Sequence, residues 1–208
     1  VVDSGLPAVL HGGSARTDLP VVGIDDRAAA HAIGCEVFRA ARRPTVLSFP
    51  LDRCRRSMLL VGPEPEAATF PVTRHRLQGL RDAWLETGRP WSEVRVAVCS
   101  TNDAALGAEH VAELLAGAHA PDAVAAMSDE LALGALRAAT DAGLPVPDVL
   151  AVTGWDDTAA AAPAGLTTIS QSLRAQGAQC ARLALGRDSA PGRPDWHLVR
   201  RRTTRQRP

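Results

Sequence analysis

The chain has 208 residues, 46% of them apolar and 22% charged, which suits a folded domain and excludes a disordered chain, a collagen-like chain or a disulfide-dense secreted scaffold. Its 23 basic and 23 acidic residues cancel, which argues against nucleic-acid binding by these residues alone. No apolar run approaches the ~20 residues of a membrane-spanning helix, and with only 3% aromatics the core must be aliphatic.

From residue 20 onward, short apolar runs alternate with helical patterns. A strand is predicted over 21–24, and an Ala-rich helix over 28–41 with Ile33, Val37 and Phe38 at helical spacing. A strand follows over 45–49. The stretch 50–72 holds Pro50, Pro63, Pro65 and Pro71 and reads as an irregular excursion. Thr73 is expected to cap a helix to Thr87, with Leu77, Leu80, Trp84 and Leu85 as its apolar stripe. Strands at 94–99, 123–127 and 149–154 then alternate with helices at 104–116 and 130–142. An extended piece at 166–169, a helix at 173–185 and a strand at 197–202 complete the chain. Such βαβ alternation with apolar strands implies a parallel sheet covered by helices on both faces.

The basic run Arg200 to Arg202, with Arg205 and Arg207, reads as a strand leading into a solvated end. Cys35, Cys54, Cys99 and Cys180 form no CxxC pair and show no His at ligand spacing, so buried free thiols and no metal site are expected. No basic segment followed by an apolar one opens the chain, so no signal peptide is read. Val1 stands where an initiating Met would, and further sequence upstream is expected.

Catalytic signatures are missing: the sequence holds no GxSxG, GxxxxGK[ST], GxGxxG or HExxH. What stands out is polar residues placed just after strands, since ligands of open parallel sheets bind beyond the carboxyl ends of the strands. Asp25 and Asp26 follow the first strand, Ser100 to Asn102 the strand at 94–99, Ser128 and Asp129 the next, and Trp155 to Asp157 the strand at 149–154. Arg74 and Arg76 open a helix beside the same edge. Carboxylates and Arg make directional bonds to hydroxyls, and a Trp face suits the apolar side of a sugar ring. Each residue also has a plainer reading. Asp129 serves as a helix cap, Asp156 and Asp157 as turn formers, Arg76 as a solvated helix residue, Trp155 as packing.

Three stretches resemble the effector-binding domain of LacI/GalR transcription regulators. They are MSDELALGALRAATDAGLPVPDVLAVTGWDDT (127–158), LTTISQ (166–171) with Gly177 beyond it, and LVRRRTT (198–204); RHRLQGLRDAW (74–84) fits the family's Arg-then-Gly helix. The resemblance spans residues 6–204. It implies a type I periplasmic-binding-protein fold, α/β with parallel sheets flanked by helices, and a small effector between two subdomains. The implied division is a partial N-terminal subdomain over 1–24, a C-terminal subdomain over 25–170, a return over 171–194 and a final strand and tail over 195–208. It also implies effector contacts at Arg76, Ser128, Asp156 and Gln171, with Asn102 and Leu173 beside them, and a dimer contact at Leu133, which otherwise reads as core. The expected partners are a small effector, a sugar first and a nucleoside or purine second, a second copy of the chain, and operator DNA through a helix-turn-helix lying outside these residues. No cofactor, metal, membrane or enzymatic activity is expected, and the location expected is the cytoplasm.

Several positions depart from the family pattern. Ser128 replaces a frequent Asn, Leu173 a frequent aromatic, His11 and Gly12 an acidic residue, and AARRPT (40–45) a Gly-His-basic segment. Two rivals are a periplasmic solute-binding protein and an enzyme using Asp156 or Asp157 as general base.

Overall fold

A computed structural model of the chain describes residues 6–12, 18–192 and 194–205. Arg207, part of the predicted basic tail, lies outside them. The centre is a five-stranded sheet in the order β4-β5-β3-β6-β7. Its strands are β3 (Pro44–Ser48), β4 (Met58–Val61), β5 (Arg95–Val98), β6 (Ala123–Ala126) and β7 (Ala151–Thr153). β3, β5, β6 and β7 are parallel; β4 joins the edge antiparallel to β5, pairing Met58 with Val98 and Leu60 with Val96.

The helices form two layers. α1 (Asp26–Phe38) and α2 (Pro71–Leu85) pack together on one face, over a core including Ile33, Phe38, Leu77, Trp84 and Val96. α3 (Ala104–Ala116) and α4 (Asp129–Asp141) pack together on the other, over Leu47, Val111, Leu131 and Val152. Both sheet faces are therefore buried, which is why every residue of β3 and β6 is buried rather than every second one. Close packing of the helix pairs needs glycine. A Cβ on Gly79 would run into the Arg27 carbonyl oxygen and stand 2.7 Å from the Ala30 Cβ.

Two smaller sheets flank this unit. β1 (Leu10–His11) and β2 (Val21–Val22) pair in parallel, with α6 (Leu173–Ala184) packed on them. β8 (Thr168–Gln171) pairs antiparallel with β9 (Trp196–Val199), and single bridges at Thr153–Thr167 and Asp156–Ser170 tie this ribbon to the end of β7. A one-turn helix α5 (Ala161–Ala164) lies between.

Several elements differ from the sequence reading, each for a local reason. The excursion 50–72 contains β4, because none of its prolines lies within 58–61 and every N–H there is free to pair. α2 starts at Pro71, whose fixed φ suits the first helical position, and Phe70 is its N-cap. Thr73 instead donates its hydroxyl to the Pro50 carbonyl at 3.1 Å. Ser128, not Asp129, caps α4 by accepting from the Leu131 N–H at 3.1 Å. The basic tail is tied down: β9 ends at Val199, Arg200 pairs with Glu36 at 2.9 Å and Arg201 with Asp157 at 2.7 Å. No helix among the described residues is long and apolar enough to cross a membrane.

Candidate functional site

Parallel strands deliver their carboxyl ends to one edge, and there the polar residues after β5, β6 and β7 gather. Ser128 donates its hydroxyl to Asn102 Oδ1 at 2.5 Å, joining the turns after β6 and β5. Ser128 is buried and Asn102 exposed, so the pair runs from the floor of the edge to its surface.

Asp156 and Asp157 follow β7 with positive φ, +103° and +52°. Two successive non-glycine residues in this region are uncommon, and such strain persists only where surrounding bonds hold it. Here the Asp156 N–H donates to the Ile169 carbonyl at 2.8 Å, and Asp157 is gripped by Arg201. The Asp156 carboxylate is thereby presented to Gln171, whose Nε2 donates to Oδ1 at 2.7 Å. Gln171 Oε1 accepts from Gln176 Nε2 at 3.0 Å, and Gln176 Oε1 meets His11 Nε2 at 2.8 Å. This relay runs from the end of β7 through the end of β8 to α6 and β1. It bridges the large sheet to the small β1-β2 unit.

Arg76 sits deeper than a solvated helix residue, 6% exposed. Its Nε donates to Asp26 at 2.8 Å and its Nη1 to the Met127 carbonyl at 2.5 Å. The guanidinium lies 3.8 Å from the Trp155 ring centroid and 5.5 Å from that of Phe49. Arg76 therefore pins the chain just before Ser128 to the ring just before Asp156. Trp155 is itself buried, and its Nε1 finds no hydrogen-bond partner among the described residues.

Asp129 is the buried electrostatic centre. It accepts from the Thr158 N–H and the Thr168 hydroxyl, both at 2.6 Å, and its own N–H donates to the Trp155 carbonyl at 2.7 Å. Burial pushes its carboxyl up from the ordinary range, the bonds from Thr168 and Thr158 pull it down, and the nearby Asp156 charge adds to the rise. Cys99, at the end of β5, is pushed up to about 12 by burial, so its thiol stays protonated and inert.

Of the six residues expected to contact an effector, Asn102 and Ser128 touch one another, as do Asp156 and Gln171, and Arg76 lies between these pairs. Leu173 stands apart, 52% exposed at the first turn of α6. Leu133 is half-buried and outside the packed core, on a surface depression of about 470 Å³ shared with Leu136, Leu144 and Val146. Gln176, His11 and Asp26 complete the site's bonding and were not singled out as contacts from sequence. Asp26 did carry a signal, as a carboxylate just past a strand. Gln176 carried none, since its partner His11 is 165 residues away.

A family model described as a periplasmic binding protein-like domain matches residues 51–205. The chain belongs to the periplasmic binding protein-like domain family. Within that family its relatives are transcription regulators. The HTH-type transcriptional regulator IpsA of Corynebacterium glutamicum is 30% identical over 175 residues, which cover 83% of this chain and 49% of that protein. CelR of Thermobifida fusca is 36% identical over 136 residues, 64% of this chain and 38% of that protein. A crystal structure of a LacI-family transcriptional regulator from C. glutamicum superposes with a TM-score of 0.89 at 25% identity, over 98% of this chain and 62% of that one. The chain thus spans about half the length, or less, of these curated relatives. The periplasmic binding protein-like chain is an effector-binding domain of the LacI/GalR type, as the motifs at 127–158, 166–171 and 198–204 implied. The transporter rival loses its footing, because these relatives are regulators.

Proposed function

We propose that this domain binds a small, hydroxyl-rich effector, a sugar in the first instance, at the edge formed by Asn102, Ser128, Arg76, Asp156 and Gln171. The observation that carries the reading is the relay from Asp156 through Gln171 and Gln176 to His11. A ligand hydroxyl bonding Asp156 or Gln171 would compete with that relay and alter how the β1-β2 unit sits on the large sheet. Such a coupling is what allosteric control requires, since a ligand shifts an equilibrium only by contacting its two states differently.

In this reading the division into residues 1–24, 25–170, 171–194 and 195–208 marks where the chain passes between the two subdomains. The domain acts as a dimer through the Leu133 surface. It works in the cytoplasm, without catalysis, and controls operator binding by a helix-turn-helix elsewhere in the protein. Symmetric half-sites would match such a dimer. The test is operator binding by the whole protein and by these 208 residues. The whole protein should bind a palindromic operator with an affinity that its effector changes; the 208 residues should bind effector and no operator. Specific operator binding by the 208 residues would overturn the proposal.

A further inference from the structure

On the face of the molecule formed by α1 and α2, three side chains of metal-ligating type converge. His31 and Cys35 lie one turn apart on α1, and Glu86 is the residue that closes α2. His31 Nε2 lies 2.7 Å from Glu86 Oε1, and Cys35 Sγ lies 3.6 Å from both His31 Nε2 and Glu86 Oε2. This differs from the expectation of no His at ligand spacing from a cysteine, since His31 and Cys35, four residues apart on α1, lie on one side of the helix. We propose that His31, Cys35 and Glu86 form a three-ligand site for a divalent transition-metal ion of the zinc class, clamping α1 to α2.

The two sulfur separations suit the chemistry, and the imidazole and carboxylate must turn to complete it. A tetrahedral ion with ~2.3 Å to sulfur and ~2.0–2.1 Å to nitrogen and oxygen sets its sulfur about 3.5–3.6 Å from the other two ligands. Both sulfur separations here are 3.6 Å. The same geometry asks for about 3.3 Å between nitrogen and oxygen; Nε2 meets one carboxylate oxygen, Oε1, at 2.7 Å and the sulfur meets the other, Oε2, so the Glu86 carboxylate must rotate for a single oxygen to serve the ion. Its side chain is 62% exposed and has room to do so. A soft thiolate, an imidazole and one carboxylate are the donor set of zinc and cobalt rather than of magnesium or calcium.

The arrangement also speaks against a nucleophilic triad. In a triad the imidazole bridges, one ring nitrogen to the nucleophile and the other to the carboxylate. Here no such bridge exists: Nε2 meets the carboxylate, while the sulfur lies beside the ring, 3.6 Å from Nε2 and 3.9 Å from Nδ1, so the partly exposed imidazole must turn for Nε2 and the sulfur to face one ion. Binding would displace the Cys35 thiol proton to solvent, with no change of oxidation state. The fourth position would be left to water. Because the ligands come from two helices, the ion would bind the folded domain and not the unfolded chain, and so stabilise it.

The experiment is titration of the metal-free chain with Co²⁺, then Zn²⁺, reading the thiolate-to-Co²⁺ absorption band, the stoichiometry and Tm. The wild type should take one ion per chain, show the band, and melt at a higher temperature with Zn²⁺. Cys35→Ser should abolish the band. His31→Ala should weaken binding by more than the ~10–100-fold that even an outer-shell partner is worth. Cys54→Ser removes the exposed thiol and should change nothing. Both ligand residues are partly exposed, so neither variant empties the core, and unchanged circular dichroism confirms that each folds. Absence of the band in the wild type, its survival in Cys35→Ser, or its loss in Cys54→Ser would overturn the assignment.

Discussion

Replacing Arg76 by Met should destabilise the domain by about 3–5 kcal/mol, the usual cost of breaking a buried ion pair by removing one partner. Three contributions make up this figure. The Asp26 carboxylate, whose side chain is only 10% exposed, is left buried without its 2.8 Å partner. The stacking on Trp155 at 3.8 Å is lost, worth about 0.5–2 kcal/mol. The bond to the Met127 carbonyl is lost, worth about 1 kcal/mol. Only the first depends on the Asp26 charge. Adding Asp26→Asn to Arg76→Met should therefore recover part of the loss, leaving a deficit of roughly 2 kcal/mol from the other two. Urea denaturation of the four proteins measures this cycle directly. Thermal melts should show the single variant lower by about 10 °C, at the ~2–4 °C per kcal/mol expected of a domain this size. A loss below about 1 kcal/mol would place the pair in the solvent-screened class, and a double variant no better than Arg76→Met would show that the Asp26 charge is irrelevant. Either result would refute the view of Arg76 as a buried pin.

Gly79→Ala pits helix propensity, a gain of ~1 kcal/mol, against a Cβ that meets the α1 backbone, an overpacking cost of ~1–3 kcal/mol or more. The net should be destabilising, and a raised urea midpoint would show that α1 and α2 are not in such close contact. Asp129→Asn tests the buried carboxyl by its pH dependence. A carboxyl raised in the folded state binds protons more readily there than in the unfolded chain, so it adds stability as pH falls from neutral toward its ordinary range near 3.8. Wild type should therefore gain on Asp129→Asn upon acidification over that window, and the opposite slope in paired melts would contradict the raised carboxyl. Leu133→Arg places a charge in the depression beside Leu136 and Val146. It should shift the molecule toward monomer in sedimentation velocity while leaving the melting of the monomer nearly unchanged; an unaltered dimer would remove Leu133 from the interface.

The legible parts of the sequence were those with local causes. α3 was read to the residue, because Asp103 caps its start and Gly117 closes its end. That Asn102, Ser128 and Asp156 gather at one sheet edge was legible, because polar residues soon after parallel apolar strands come together there. β4 was hidden by the prolines around it. The roles of Arg76 and Asp26 as a buried pair 50 residues apart, and of Gln176 as the middle of a relay, depend on contacts that no local pattern encodes. Likewise His31 and Cys35 gain meaning only when Glu86 arrives from α2.

The most direct test of the account is a thermal-shift screen of the whole protein with monosaccharides, disaccharides, pentoses, polyols and nucleosides, repeated with Asp156→Gly. Glycine removes the carboxylate while relieving the +103° φ of Asp156, so backbone strain does not mimic a binding defect. A sugar-like ligand should raise Tm in the wild type by mass action and fail to do so in Asp156→Gly. An equal rise in both proteins would contradict the claim that the effector is held at this strand edge.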